Sequence, residues 1–219
     1  YLFTAFATVA HGLSFPGLFA SGGLLGAGPQ TTAWLYMFWH GSFPIFVIAY
    51  AVLRGSRLDP MPASAAGALS IAGAGLAAAA AVIGFALLAT AGHDVLPPIM
   101  RDNRYTPTMI VVVSVVWLAS LIALVLLWRR RPRTVLDLWL IVVMCAWLLD
   151  VALSAMLNAG RFDLGFYAGR GYGLLAGGLV LGVLLLENGQ LHAWLAQAHA
   201  HEHRRAADDQ PDRIVAAAA

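Results

Sequence analysis

The chain has 219 residues, 60% of them hydrophobic and 11% charged, with a formal net charge of +2 and a mean hydropathy of +0.76. So little charge cannot cover a water-facing surface, which excludes a soluble domain of this size. The 13 basic residues, all arginine, are nearly balanced by 11 acidic ones, so no polycationic face for nucleic acid is expected.

The apolar run 1–12 has no basic leading region and is too short to cross a hydrocarbon core, which takes ~20 helical residues. It reads as the end of a truncated span. The longer apolar runs that follow must be helical, because lipid offers backbone groups no hydrogen-bond partners. Complete spans are predicted over 32–53, 65–91, 108–128, 135–157 and 172–191. The expected fold is therefore all-α: a polytopic transmembrane helical bundle of five complete spans and a truncated first span, continued by a cytoplasmic C-terminal helix. A membrane region over 1–191 and a cytoplasmic signalling helix and linker over 192–219 follow. One cysteine, Cys145, lies in an apolar run and supports neither a disulfide framework nor a cysteine metal motif within one chain.

Orientation comes from the arginines. Arg54, Arg57, Arg129, Arg130, Arg131, Arg133, Arg204, Arg205 and Arg213 fall on one side, and Arg101, Arg104, Arg161 and Arg170 on the other. The richer side is cytoplasmic by the positive-inside rule. The connections 13–31, 92–107 and 158–171, rich in Gly, Pro and aromatic residues, are then extracytoplasmic. Region 67–92 is dominated by Ala and Gly, and Gly173 with Gly177 and Gly178 with Gly182 recur at four-residue spacing, which lets helix backbones approach within the bundle or across a dimer seam. Leu184, Leu191, Leu195 and Ala198 approximate a heptad seam along a stalk that leaves the membrane.

Ionisable side chains inside a bilayer are functional candidates because inserting one costs roughly 2.5–3.5 kcal/mol. His40 lies about 12 Å from the outer start of its span, and Asp150 about 10 Å from the outer end of its own, at 1.5 Å per residue. Two helices thus place polar groups at one level. Pro44 cannot donate to the carbonyl of His40, so a kink and a free carbonyl are expected there. His11 could join the layer, surrounded by Trp34, Tyr36, Trp39, Tyr172, Arg161 and Arg170 in a partly wet pocket for an aromatic or anionic ligand. Three readings stay open: ligand or signal sensing, a polar pair that holds two helices together, and haem ligation through His11 and His40.

Asp137 and Glu187, near cytoplasmic span ends, are read as structural carboxylates that reach headgroup water. His192, His199, His201 and His203 cluster on the tail, and His199 with His203 has i, i+4 spacing. Without a third ligand this is a solvated face rather than a metal site. No phosphate-binding loop, HExxH or GxSxG occurs, and Asp137 and Asp150 are ~20 Å apart along one helix, which excludes an aspartyl dyad. No catalytic residue and no cofactor is expected.

The blocks GLLGAGPQTTAWLYMFWHGSFPIFVIAYA at 23–51, HGLSFPGLF at 11–19, RDNRYTP at 101–107, RFDLGFYAGRGYGLLA at 161–176 and LLLEN at 184–188 resemble the fourth type of MASE domain. The resemblance covers nearly the whole chain to about 191. It implies a membrane sensor region of the bacterial inner membrane, usually dimeric, that relays a signal to a cytoplasmic diguanylate cyclase (GGDEF) or histidine kinase module. It also implies further spans upstream, in keeping with the short first run; the residues present hold no GGDEF or kinase core, a departure from the family pattern that leaves any output module elsewhere or lost. A small-molecule or ion transporter is the alternative suggested by Pro44 and Asp150.

Overall fold

The structure is a computed structural model that describes residues 1–53, 66–130 and 134–217. Arg54, Arg57, Arg131 and Arg133, used above for orientation, lie outside the described residues. So do the side chains of Leu184 and of all residues from 198 onward, and with them most of the histidine cluster, the remaining tail arginines and half of the heptad seam.

Among the described residues six α-helices follow in order: α1 (Leu2–Ser14), α2 (Thr31–Leu53), α3 (Ala66–Ala89), α4 (Pro107–Arg129), α5 (Val135–Val151) and α6 (Leu164–Ala217). A 23-residue helix such as α2 or α4 rises about 35 Å, enough for a hydrocarbon core of ~30 Å. Among the described residues four helices are long and apolar enough to cross a membrane: Thr31–Leu53, Leu69–Ala89, Pro107–Arg129 and Val135–Met156. The first four predicted complete spans agree with these to within two residues at most ends. The predicted span 172–191 falls inside α6, where the side chains at 179, 180, 183 and 184 are outside the described part. Helix α1 has 13 residues and stops short of a full crossing.

Two compact units divide the chain, residues 1–173 and 174–219. In the first, α2 is the central helix and packs on α4, α3, α1 and α5. Near one end Trp34, Met37, Met109, Val113 and Val151 interlock. Toward the other, Phe43, Val47, Ala123, Leu127, Leu140 and Met144 do the same. Lipid tails are as apolar as these side chains, so close van der Waals fit holds the helices together rather than exclusion from water. Helix α3 is nearly bare, touching α1 and α2 through Ala78, Val82 and Phe85. Its glycines make no tight helix contact: a Cβ added at Gly67, Gly73, Gly75 or Gly84 meets nothing within 4 Å.

The three connections assigned to one side do meet one another. A short hairpin pairs β1 (Met100–Arg101) with β2 (Arg104–Tyr105) across a two-residue turn, with Asp102 at φ 53°. Arg104 bridges to Gly160, and Arg161 N–H donates to Asn103 O at 2.7 Å. Gly160 is obligatory here, since a Cβ would stand 2.1 Å from Asn103 O. From the first connection, Gln30 Oε1 accepts from Ile99 N–H (3.0 Å) and Met100 N–H (2.7 Å), while Trp34 Nε1–H donates to Pro97 O at 3.2 Å. Buried backbone groups of irregular segments are thus satisfied by protein, as they must be at the edge of a bilayer.

At the opposite end, Asp137 is 3% exposed rather than reaching headgroup water. It forms a capping box with Thr134 at the start of α5 and accepts from Tyr50 Oη at 2.9 Å. Its structural role holds, but protein groups take the place of the expected water. Glu187, in the second unit, is exposed, as are Leu174, Leu175, Leu181, Leu185 and Leu186.

Candidate functional site

The helical period decides which of the predicted site residues converge. Tyr36 and His40, four apart on α2, share the face turned to α5, and their rings stack with centroids 3.8 Å apart. Trp147 covers the other side of the imidazole at 4.6 Å and 29°, leaving His40 between two aromatic faces and 2% exposed. Its Nε2 lies 3.0 Å from Asp150 Oδ2, with the Asp150 side chain 17% exposed. The shared level expected of the two residues is a direct contact.

Hydrogen-bond direction constrains the protons. His40 Nδ1 faces Tyr36 O at 2.9 Å, and a carbonyl only accepts, so Nδ1 carries a proton. Nε2 and Oδ2 must hold another between them. The pair is either imidazolium with carboxylate or neutral imidazole with carboxylic acid, and in both states its net charge is zero. That neutrality is what allows two titratable groups at this depth. Both imidazole nitrogens are engaged, so iron ligation by His40 would require breaking one of the two contacts.

Pro44 leaves the His40 carbonyl without its helical donor, and Trp147 Nε1–H fills the gap at 3.1 Å. Asp150 is three residues beyond Trp147, so one face of α5 supplies both the imidazole partner and the replacement donor. Below them α5 opens into a π-helical turn, Ala152–Met156, a local widening that occurs often at functional sites. Ser154 sits in that turn. Its hydroxyl donates to Asp150 O (2.7 Å) and lies 2.5 Å from Tyr36 Oη, while its carbonyl accepts from Tyr105 Oη at 2.9 Å. Tyr36, His40, Asp150, Ser154 and Tyr105 therefore form one continuous polar network from α2 through α5 to the hairpin.

Helix α6 begins at Leu164, eight residues before the predicted start, so Arg170 belongs to a helix rather than a connection. It meets α5 through glycines. A Cβ on Gly165 would stand 3.1 Å from Leu153 O, on Gly169 2.6 Å from Ser154 Cβ, and on Gly173 3.4 Å from Asp150 Oδ1. The close approach predicted at Gly173 is real and extends upstream to Gly165. At Gly177, Gly178 and Gly182, in the second unit, an added Cβ meets nothing within 4 Å among the described residues.

A small half-open cavity of about 30 Å³ adjoins the network, lined by His11, Tyr36, Tyr105, Ser154, Arg161 and Arg170 among others. This is room for a water or two, smaller than the aromatic ligand considered above. The His11 ring lies 6.0 Å from those of Tyr36 and Trp39. Arg170 lays its guanidinium 3.4 Å over the Phe166 ring and 5.7 Å from that of Tyr36, and donates to Phe166 O. Arg161 points a buried Nη2 that has no hydrogen-bond partner. Burial pulls the Arg161 guanidinium below its ordinary pKa, opposed by Tyr105 and reinforced by Arg170. Burial likewise raises the Tyr105 phenol. Trp34 takes no part: two positions from Tyr36 it faces elsewhere, stacked on Phe38 and tied to Pro97. Sequence reasoning missed Trp147, Ser154, Tyr105 and Gly169. The orphan carbonyl at Pro44, the i−3 and i+4 neighbours of Asp150, and the four-residue step back from Gly173 were signals available for three of them.

A bundle of membrane-length apolar helices, with a neutral ionisable pair inside and a polar network leading to one end, defines a polytopic integral membrane domain. The chain belongs to the MASE4 family, described as a membrane-associated sensor, integral membrane domain, whose model matches residues 1–192. No curated protein and no solved structure matches the chain.

Proposed function

We propose that this domain is the multi-pass sensory input module of a bacterial inner-membrane signalling protein, and that its stimulus acts on the network around His40 and Asp150. The observation that carries the reading is the seating of Gly169 and Gly173 against Ser154 and Asp150. A change in the pair or in the π turn must shift the helix resting directly on it. Conversion of the π turn to regular α-helix would rotate the following residues, which gives α5 two discrete arrangements. A stimulus selects between them only through a difference in its affinity for the two. In this reading α6 makes the fifth complete crossing, its C-terminal part is cytoplasmic, and it relays the shift to a diguanylate cyclase or histidine kinase module, with the exposed leucines of 174–186 facing lipid or a second copy.

The test uses the full-length parent protein. His40→Ala and Asp150→Ala, made singly, are expected to lock or abolish the regulated part of its output while expression and membrane insertion persist. Output that matches the wild type across growth conditions removes the pair from sensing. The transporter alternative draws on Pro44 and the intramembrane Asp150, but Trp147 occupies the carbonyl that a broken transporter helix would offer to an ion. Solute uptake by reconstituted liposomes separates the two.

A further inference from the structure

We infer that the cavity between Arg161 and Arg170 is an oxyanion-binding site that receives a single carboxylate or phosphate group. This rests on the sensory reading above and names the chemistry of its stimulus. The two guanidiniums border one cavity, both half-buried. Among the described residues the ion pairs are His40 with Asp150 and His93 with Asp94, and neither arginine has a carboxylate within ion-pair distance. Two like charges in half-buried positions, with no carboxylate in direct contact, are an unfavourable arrangement that an anion relieves.

Donor geometry agrees with this. Arg161 lines the cavity and has a buried, unpartnered Nη2, and Arg170 uses Nη1 on Phe166 O while its guanidinium lies over the Phe166 ring. Planar guanidiniums held in place suit the paired oxygens of a carboxylate or phosphate better than a point charge would. The half-open cavity of about 30 Å³ takes one or two oxygens of such a group and leaves the remainder of a ligand outside. The two arginines also sit on different parts of the fold. Arg161 is fastened to the hairpin through Asn103 O, whereas Arg170 adjoins Gly169 on α6. An anion bridging them ties α6 to the hairpin and favours the arrangement in which α6 rests on the π turn.

The same chemistry is offered by a free solute or by an anionic lipid head group, and the experiment has an arm for each. The purified chain is placed in phosphatidylcholine nanodiscs and titrated with sodium acetate or inorganic phosphate, against sodium chloride at equal ionic strength. In parallel, phosphatidylglycerol replaces part of the lipid. Thermal unfolding is followed by tryptophan emission. A tenfold excess over Kd is expected to raise Tm by about 3–6 °C. A rise with acetate or phosphate supports the site with a free solute as ligand, and a rise with phosphatidylglycerol supports it with a lipid head group. Arg161→Gln and Arg170→Gln are each expected to abolish the shift. Arg161→Lys and Arg170→Lys, which keep the charge but not the planar fork, serve if the Gln variants do not fold, and are expected to weaken apparent affinity about tenfold. No shift in either arm, or the full shift in all four variants, overturns the site. A flat titration beside output-dead His40→Ala would sink the anion site alone, while an intact anion shift beside unaltered output in His40→Ala would sink the sensing reading alone.

Discussion

Replacing Gly169 by Ala tests the contact between α5 and α6 without any assumption about function. The new Cβ would lie 2.6 Å from Ser154 Cβ and 2.9 Å from both Ser154 Cα and N. Carbon atoms settle at ~3.5–4.0 Å, so α6 must withdraw from the π turn by about 1 Å. Two of the three atoms met are backbone, and no flexible side chain can give way in their place. Overpacking of this kind costs roughly 1–3 kcal/mol. The substitution also gains up to ~1 kcal/mol of helix propensity, which would mask part of the loss. Gly171→Ala supplies the control: it carries the same propensity gain on the same helix, and its Cβ meets nothing within 4 Å. The difference between the two variants isolates the steric term. At 2–4 °C per kcal/mol for a domain of this size, Gly169→Ala is expected to unfold about 2–12 °C below Gly171→Ala. Thermal unfolding in detergent, read by tryptophan emission and by loss of monodispersity, makes the comparison. Gly169→Ala melting at or above Gly171→Ala would refute the close approach of the two helices.

Pro44 and Trp147 make a double-mutant cycle: Trp147→Phe removes the donor to the His40 carbonyl and is expected to lose about 1–3 kcal/mol in the native background. In a Pro44→Ala background the restored backbone N–H makes that donor redundant, so the hydrogen-bond part of the loss should vanish, and additive effects on Tm would contradict the assignment. Asp150→Ala strips a buried imidazole of its partner and is expected to cost about 3–5 kcal/mol, whereas Asp150→Asn can donate to a neutral Nε2 and should cost much less. Equal Tm values for those two variants would mean that the pair contributes no specific contact. Asp137→Ala removes the carboxylate half of the capping box, the acceptor of Thr134 N–H, and the acceptor of Tyr50, for an expected loss of about 1–3 kcal/mol. Glu187→Ala, at an exposed position, should stay within about 0.5 kcal/mol, and the two are compared by the same melting assay.

Much of the architecture was legible because a bilayer simplifies the rules. Long apolar runs must be helices, charge gathers at their ends, and a polar side chain within them stands out. Even the level shared by His40 and Asp150 followed from counting residues at a fixed rise. What counting could not supply was azimuth. Trp34 and Tyr36 looked equivalent as aromatics near a span end, yet only Tyr36 shares the His40 face. The start of α6 was placed late because Arg161 to Gly171 reads as a polar, glycine-rich connection. In the fold those glycines are the surface that seats the helix on α5, and Arg170 lies over a ring.

The sequence by itself determined that the chain is a helical membrane domain with several helices of membrane length, and that one histidine and one aspartate share a depth, since hydrophobicity and helical rise are local properties. Only the tertiary structure decided that the proline's orphan carbonyl is met by Trp147, that α5 widens into a π turn under Asp150, and that two arginines share a cavity. Each of these depends on which faces of separate helices meet. In lipid that choice is made by the fit of small residues and the mutual satisfaction of polar groups rather than by hydrophobicity, and no single segment carries it.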